Sequence, residues 1–334
     1  MSTKLKVLQI LNENIGAVVS GQRIADELSL SRNSVWKAIK ALKDQGFQIK
    51  SSDGAGYSLE EKTDILSADL IASQLPKSWT VHVLETVDST NTFAKNLPQT
   101  TSPQLVVSDC QTGGRGRLGR SFSSPSGKGL YLSMAFSPNM DFKKAMLFTS
   151  IAALATVNAI QQVTGLRCTI KWVNDVFLGE KKVCGILTEA ESNLESGNID
   201  RIIVGIGVNC FERDFPEDIK ETAGYLQNPP KDFDRNHLAA AIVNEFRSLS
   251  LEFDQAKIVS LYRSRSNVLG QQILVYNPAL AKEIGRNDSR LNDPIRARAV
   301  DIDENGGLII ELLEGRLTRE MRTLSTGEVT IRKA

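Results

Sequence analysis

The sequence predicts an α+β chain of several domains, on three observations. The first part of the chain carries three short helical patterns followed by a hairpin pattern. The middle part alternates strand-like runs with long helical segments, and from about Leu269 only strand-like runs remain. A length of 334 residues suits two or three domains. We therefore expect three domains, spanning 1–62, 63–268 and 269–334.

The N-terminal part has the pattern of three packed helices. Apolar residues recur at helical spacing in Leu5–Leu11, Gly21–Leu28 and Arg32–Gln45. Ser31 suits the N-cap of the third helix, because its hydroxyl can accept a hydrogen bond from the first turn. Gly46 suits the position just after that helix, where the backbone often becomes left-handed.

Two strand-like runs follow the third helix. They span Phe47–Ser51 and Gly56–Leu59, and Asp53-Gly54 between them favours a hairpin turn. This order is typical of a winged helix-turn-helix, whose third helix enters the DNA major groove while nearby elements reach the backbone. A small helical interaction domain is the alternative. The candidate DNA-contacting residues are Arg32, Asn33, Ser34, Lys37, Lys40 and Lys50.

The central region has the pattern of a mixed sheet with helices. Successive hairpin patterns, such as the one around 179–181, favour antiparallel neighbours over a doubly wound parallel sheet. Polar residues interrupt the apolar segment Ala145–Val163, so we expect a core helix and no membrane partner. The other predicted helices are Asp64–Leu75 and His237–Phe253. The predicted strands are Val81–Leu84, Gln104–Cys110, Leu130–Phe136, Cys168–Trp172, Val176–Leu178, Val183–Thr188 and Arg201–Val208.

The C-terminal region has an all-β pattern and predicts a small barrel. Asp303–Gly307 is a strong turn sequence. The polar segment Asn277–Pro294 is too long for a hairpin turn. The predicted strands are Ile273–Tyr276, Ile295–Ile302, Leu308–Leu312 and Val329–Arg332.

Composition argues against several classes of function. The formal net charge is +1, so any nucleic-acid binding must come from a local patch. The four cysteines are scattered and the chain has two histidines, which argues against a zinc site. Scattered, reduced cysteines suit a cytoplasmic protein. The first residues show no signal-peptide pattern. The glycine fingerprints of nucleotide-binding loops are incomplete, and neither histidine has a nucleophile-like context. We therefore expect no protein-held metal and no acyl-enzyme hydrolysis.

One segment is suited to holding negative charge. Gly113–Arg120 interleaves four glycines with three arginines. Glycine lets backbone N–H groups converge on an anion, and arginine offers a planar, permanently charged fork of donors. The alternatives are a flexible basic surface loop and an arginine-rich nucleic-acid contact.

Five stretches together give a far more specific indication of a protein family than any one of them alone. They are Asp88–Asn91, Gln111–Arg120, Lys171–Asp175, Lys182–Leu187 and Gly205–Asn209. As a set they resemble the bifunctional biotin–protein ligases that also repress the biotin operon, and the resemblance covers nearly the whole chain. It implies a winged helix-turn-helix, a central domain of the class II synthetase and biotin ligase type, and a C-terminal SH3-like barrel.

The resemblance implies a two-step reaction with ATP, biotin and Mg²⁺. Biotin's carboxylate attacks the α-phosphate to give biotinyl-5′-AMP and pyrophosphate, and a lysine of a biotin carboxyl carrier protein domain then takes the biotinyl group. Arg117 and Lys182 would neutralise charge in the first step, and Asp175 would polarise the incoming lysine. The residues implied to bind biotin or the adenylate are Ser89, Thr90, Asn91, Gln111, Gly114, Arg115, Gly116, Arg117, Arg120, Trp172, Lys182 and Asn209.

Several of these residues have purely structural alternatives. Ser89–Asn91 is also an ordinary helix N-cap sequence, and Trp172 is by composition a core residue. Lys182 could be a solvated hairpin lysine. Asp175 could be a structural carboxylate paired with a backbone amide or with Lys171.

The resemblance also implies a switch. Biotinyl-5′-AMP would act as corepressor: the Gly/Arg loop orders around it, the chain forms a homodimer, and the dimer binds operator DNA at paired half-sites. An exposed edge of the central sheet is one candidate dimer surface. The alternative functions are a non-catalytic transcription factor that senses a small carboxylate, a lipoate or octanoyl transferase, and a DNA-processing enzyme.

Overall fold

The computed structural model describes residues 3–44, 46–52, 54–60, 64–138, 140–141, 147–192, 198–230, 233–286, 293–325 and 330–333. Several predicted features fall outside these ranges. They are the turn residue Asp53, the helix start at Ala145, the strand start at Val329, the boundary at 62/63, and part of the polar segment Asn277–Pro294.

The N-terminal part is a three-helix unit with a two-stranded hairpin, as predicted. Strands β1 and β2 pair antiparallel, and Tyr57 of β2 also bridges to Val19. One apolar core joins the helices to the hairpin. The elements are α1 Thr3–Glu13, α2 Gly21–Leu28, α3 Arg32–Asp44, β1 Ile49–Ser52 and β2 Gly56–Leu59.

The predicted ends of α3 are confirmed. Ser31 Oγ accepts a hydrogen bond from the Ser34 amide at 3.1 Å, which satisfies a donor of the first turn. Gly46 has φ +93°, and its amide donates to the carbonyl of Lys43. This left-handed residue ends the helix and turns the chain towards the hairpin.

The central part is built on one eight-stranded mixed sheet. Its order is β3-β4-β5-β10-β9-β8-β7, with β6 paired to β10. Only β3 and β4 are parallel among these described pairs, which confirms the expected mixed sheet. The strands are β3 Thr80–Val87, β4 Gln104–Gln111, β5 Gly129–Phe136, β6 Met140–Asp141, β7 Thr169–Lys171, β8 Asp175–Leu178, β9 Lys181–Ser192 and β10 Asn198–Asn209.

Helices accompany this sheet. Helix α6 is long and apolar enough to cross a membrane by composition, but 67% of it is buried, and it packs against α7 in the core. The predicted core helix is therefore confirmed. The helices are α4 Ala68–Ala72, α5 Thr90–Asn96, α6 Leu147–Thr164, α7 Arg235–Glu252 and α8 Gln255–Arg265.

Helix α4 is shorter than predicted. Asp64 and Ser67 were expected inside it, but they precede it in extended backbone. Asp64 accepts hydrogen bonds from the backbone and side chain of Arg235, and the Ser67 amide donates to Asn236 at 2.7 Å. These contacts with α7 hold the segment outside a helical conformation.

The C-terminal part is a five-stranded antiparallel sheet. Its order is β14-β13-β12-β11-β15, so the pairing of the described strands runs along an open path with β14 and β15 at its ends. No closing pair of a barrel is present among these described strands. The elements are β11 Gln272–Tyr276, α9 Pro278–Glu283, β12 Ile295–Ile302, β13 Leu308–Leu312, β14 Met321–Leu324 and β15 Thr330–Lys333.

A turn of the C-terminal sheet contacts the central part beside α6. The indole Nε1 of Trp172 donates to the carbonyl of Gly306 at 2.9 Å. A Cβ on Gly306 would lie 3.2 Å from Leu147, so the turn touches α6 closely. The two parts share one continuous apolar core. Trp172 is thus held in place by the C-terminal sheet.

Candidate active site

A cavity of about 840 Å³ opens over strands β8, β9 and β10. The Gly/Arg loop and the start of α5 form one side, and the chain that follows β10 forms another. Its lining includes Ser89, Asn91, Gln111, Arg115, Gly116, Arg117, Arg120, Phe122, Trp172, Asn174, Asp175, Lys182, Asn209 and Arg213. The sheet thus gathers the matched stretches, which are far apart in sequence, around one space.

The floor of the cavity is made of glycines. A Cβ on Gly205 would lie 2.2 Å from Asn91 Oδ1, and one on Gly207 would lie 2.5 Å from the Phe122 ring. Gly185 is the third, with Phe122 3.1 Å from its Cβ position. These positions need glycine because the side chains above the floor approach the backbone closely.

Polar side chains at one end of the cavity are fixed by one another. Ser89 caps α5, and Thr90 donates from its amide and hydroxyl to Gln111 Oε1 at 2.8 and 3.1 Å. Asn91 donates to Glu189 Oε2 at 2.8 Å and accepts from Ser133 at 2.6 Å. These hydrogen bonds fix the side-chain orientations, as a site with alternating donors and acceptors requires.

Two predicted site residues do not line the cavity. Thr90 is buried and orients Gln111. Gly114 has a backbone role, since its carbonyl accepts from the Phe122 amide at 2.8 Å and a Cβ there would lie 2.3 Å from the Phe122 carbonyl oxygen. The loop can fold back on itself only with glycine at this position.

The Gly/Arg loop differs from the expected backbone cradle. The amides of Gly113, Gly116 and Arg120 donate to the carbonyls of Asp88, Arg120 and Arg117 rather than into the cavity. These three donors are thus already used within the chain. The capacity of the loop for an anion therefore rests chiefly on its arginine side chains.

Arg115, Arg117 and Lys182 of the cavity each have a polar partner within the chain. Arg115 pairs with Glu189 at 3.2 Å. Arg117 Nη1 donates to Asn174 Oδ1 at 3.2 Å, and burial lowers the pKa of its guanidinium. Lys182 pairs with the carboxylate of Asp175.

Lys182 and Asp175 form an ion pair across β8 and β9. Lys182 Nζ lies 2.7 Å from Asp175 Oδ1. The Oδ1 atom is buried, and this contact is an ion pair without the alignment of a hydrogen bond. Asp175 thus has a cationic partner in Lys182, as the structural alternative of a paired carboxylate also expects. Lys182 is a half-buried lining residue and not a solvated hairpin lysine.

Trp172 and Asn209 form walls of the cavity and also make structural contacts. Trp172 is only 4% exposed, and its indole N–H donates to the Gly306 carbonyl. Asn209 donates to the Gly224 carbonyl at 2.8 Å and accepts from Arg213 at 3.0 Å. Both side chains therefore also hold neighbouring chain segments in place.

Some lining residues were not predicted. Asn174 lies inside a matched stretch, but it was not singled out. Arg213 contacts Ser123 and Asn209 and stacks on Phe215 at 4.4 Å. Its segment, 211–223, is irregular and rich in charge, a pattern typical of a solvated loop. The pairing of Lys182 with Ala223 helps to hold this segment beside the cavity.

No group of three or more His, Cys, Asp or Glu side chains in the described ranges is placed to hold a metal ion. The cysteines Cys110, Cys168, Cys184 and Cys210 are all unpaired. Burial raises the pKa of the Cys168 and Cys210 thiols to about 12, so these two are poor nucleophiles.

A second candidate site is the exposed side of α3. Arg32, Asn33, Lys37 and Lys40 are exposed there, whereas Ser34 is half-buried. Ser34 is also tied to Ser31 through both its amide and its hydroxyl. Lys50 is exposed on β1 and pairs with Glu60.

Comparisons with known proteins agree with this arrangement. Residues 83–209 match the biotin/lipoate A/B protein ligase family, residues 3–58 an HTH domain, and residues 289–332 the biotin protein ligase C terminal domain. The bifunctional ligase/repressor BirA of Bacillus spizizenii is 30% identical over 92% of this chain and 94% of its own length. That of Escherichia coli is 30% identical over 92% of each chain.

A solved structure points the same way. The biotin protein ligase from Aquifex aeolicus, in complex with biotin and ATP, superposes with a TM-score of 0.60 at 28% identity. It covers 76% of this chain and 99% of its own. Fold, cavity and full-length relatives agree, and the chain belongs to the family of bifunctional biotin ligase/repressors.

Proposed function

We propose that this chain is an ATP-dependent biotin ligase that makes biotinyl-5′-AMP and transfers biotin to a lysine of a biotin carboxyl carrier protein domain. The observation that carries this is the cavity itself. A glycine floor, a pre-oriented polar end and arginine and lysine side chains surround one space large enough for a small ligand.

The adenylation step needs positive charge, because a carboxylate approaches an α-phosphate. Arg117 and Lys182 both line the cavity and can stabilise negative charge as the bond forms. Lys182 is already held by Asp175, which limits its freedom to reorient. We assign both cations to this step and keep Arg115, Arg120 and Gly116 as binding residues.

The nucleotide half of the reaction also involves Mg²⁺. Magnesium binds through substrate phosphates with one or two protein carboxylates. Asp175, Glu180 and Asp218 line the cavity and could complete such a shell, while ATP carries the ion in. Bound Mg²⁺ would reduce the negative charge of the triphosphate.

The transfer step needs an acceptor lysine with a free electron pair. Asp175 is a half-buried lining residue of the cavity, and its charge is balanced by Lys182. A carboxylate there can accept a hydrogen bond from the incoming amine and orient it towards the acyl carbon. The acceptor supplies the nucleophile, so the chain needs no catalytic serine or cysteine.

The N-terminal unit adds a repressor role through operator DNA, with α3 as the recognition element. We infer that biotinyl-5′-AMP is the corepressor and that the adenylate-bound chain forms a homodimer. The candidate contacts are those of α3 and Lys50 on the hairpin. Coupling of this kind requires the adenylate to bind one association state more tightly than the other.

The domain limits, the C-terminal fold and the cellular location complete the proposal. The domain limits are 1–62, 63–268 and 269–334. We infer that the C-terminal sheet belongs to an SH3-like barrel, a proposal supported by its antiparallel meander from β11 to β14. A cytoplasmic location is supported by the four unpaired cysteines and by the operator as a partner.

The ligase proposal is tested by incubating the protein with biotin, Mg²⁺-ATP and a recombinant biotin carboxyl carrier domain. The carrier should gain the mass of one biotinyl group, and a carrier with its acceptor lysine changed to arginine should gain none. Binding of biotin without any mass gain would instead favour a non-catalytic sensor of small carboxylates.

A further inference from the structure

The recognition helix carries a large apolar side chain on its solvent side. Trp36 is 51% exposed, although α3 buries Val35, Ala38, Ile39 and Leu42 in the core of the N-terminal unit. A single exposed apolar residue is ordinary on a protein surface. The charged neighbours of Trp36 indicate what kind of partner covers it.

Trp36 lies inside a positively charged patch. Residues three and four positions away share its side of the helix. Of these, Ile39 is buried in the core, and Arg32, Asn33 and Lys40 are exposed. Lys40 Nζ lies 5.8 Å from the centroid of the indole ring. None of these helical neighbours is acidic, so a partner that covers the indole must be compatible with concentrated positive charge.

We propose that Trp36 contacts the methyl group of a thymine in the major groove of the operator. This inference rests on the proposed repressor function. Each base pair shows a distinct pattern in the major groove, and thymine adds an apolar methyl group there. Lysine and arginine contacts with phosphate give affinity without sequence information. Trp36 therefore supplies sequence preference to a helix whose other exposed groups are chiefly basic.

A double-stranded polyanion fits this patch better than a second copy of the chain. A two-fold interface centred on Trp36 would bring Arg32 and Lys40 of one copy against the same residues of the other. Such an interface would place like charges together, whereas DNA neutralises them. The indole and its basic neighbours thus suit one common partner.

The first experiment uses duplexes selected from a random-sequence pool by the wild-type protein with biotin, Mg²⁺ and ATP. Fluorescence anisotropy then compares wild type, Trp36→Ala and Lys40→Ala on the selected duplex and on an unselected duplex. Trp36→Ala should weaken binding to the selected duplex roughly 10-fold and change unselected binding little. Its salt dependence should stay as in wild type, because an apolar contact releases no counterion. Lys40→Ala should weaken both duplexes and reduce the salt slope by about 1.

The second experiment removes the methyl group from the DNA instead. Thymines of the selected duplex are replaced by deoxyuridine, one at a time. One replacement should weaken wild-type binding and have little further effect on Trp36→Ala, because both changes remove the same contact. If every deoxyuridine penalty persists in full in Trp36→Ala, or if that variant binds like wild type, the inference is wrong.

Controls separate this inference from the function on which it rests. Trp36→Ala should retain wild-type biotinylation of the carrier domain and wild-type dimerisation on sedimentation. A loss of dimerisation that accounts for the weaker DNA binding would overturn the inference. If the wild-type protein enriches no duplex from the pool, the repressor function fails. If it does enrich one and Trp36→Ala binds it equally well, only the role of Trp36 fails.

Discussion

Arg117 shows how a single side chain is prepared for an anion. Its guanidinium is held by Asn174 at 3.2 Å and lines the cavity, and burial lowers its pKa from the ordinary value. An arginine stays charged despite such a shift. A half-buried cation of this kind favours a ligand that brings negative charge to it.

Arg117→Ala should therefore weaken retention of biotinyl-5′-AMP more than affinity for biotin. A charge-assisted contact with phosphate is lost, which predicts roughly 10- to 100-fold faster release of the adenylate. Stopped-flow dissociation of the adenylate and calorimetric titration of biotin measure the two effects. Equal losses for both ligands would contradict the assignment of Arg117 to the phosphate.

The resemblance to the biotin ligases implied most of the cavity residues but not all. Gln111, Arg115 and Lys182 lie in matched stretches, and the sheet brings them together. Arg213 could not be predicted in this way, because its irregular segment is held at the cavity by long-range contacts with Ser123 and β9. The backbone role of Gly114 likewise depends on how closely Phe122 folds back, a distance that sequence does not contain.

At the scale of elements, a buried arginine joins three parts of the chain. Arg235 at the start of α7 is 3% exposed and pairs with Asp64 at 2.5 Å and Asp109 at 2.8 Å. Asp109 follows the middle of β4 and also accepts from Ser126 and Gly127, just beyond the Gly/Arg loop. The arrangement fixes the chain before α4 relative to the strand that leads into the loop.

Asp109→Asn should destabilise the fold by about 2 kcal/mol at neutral pH, because a charge-assisted contact with Arg235 is lost. Burial opposes ionisation of Asp109, but hydrogen bonds from Ser126 and Arg235 outweigh it and lower the pKa of the carboxyl. A lowered folded pKa stabilises the fold above the unfolded pKa, and this contribution is lost as pH falls through the folded value. The difference between variant and wild type should therefore shrink as pH falls below about 4.

Urea unfolding at a series of pH values measures this difference. Asp64, whose pKa is raised by burial, contributes with the opposite sign but is present in both proteins and largely cancels. Asp69→Asn is the matched control, since its ion pair with Lys4 is on the surface and should contribute less than about 1 kcal/mol. A difference for Asp109→Asn that does not depend on pH would contradict the role of its charge.

Elements with strong periodicity were predicted well, and elements set by tertiary contact were not. The limits of α2, β2, β12 and β13 match the sequence patterns. Helices α8 and α9 and strand β14 were missed, since their apolar residues are mixed with charge, and α9 shows that the all-β prediction for the C-terminal region was wrong. The predicted start of α4 was wrong because long-range hydrogen bonds to α7 override the local helical pattern.

At the scale of the whole molecule, the cavity is connected to both ends of the chain. Trp172 lies between the cavity and Gly306 of the C-terminal sheet. The Asp64–Arg235–Asp109 network lies between the chain before α4 and the strand that leads into the Gly/Arg loop. A ligand in the cavity thus lies beside residues that contact both neighbouring regions. This is the physical basis on which we place ligation and repression in one chain.

Adenylate formation should therefore change the association of the whole chain. Sedimentation velocity with biotin, Mg²⁺ and ATP should show a shift from monomer towards dimer, and biotin alone should produce a smaller shift or none. Edge strand β3 of the central sheet is one candidate contact surface. Identical sedimentation with and without the adenylate would contradict the corepressor role.

The most direct test of the ligase is biotin-dependent exchange of labelled pyrophosphate into ATP by the purified protein with Mg²⁺. Exchange reports adenylate formation alone, so neither an acceptor nor DNA is needed. We predict exchange that requires biotin, is not supported by lipoate, and is strongly reduced in Lys182→Ala. Absence of exchange while biotin still binds would contradict the catalytic roles of Arg117 and Lys182 and favour a sensor without chemistry.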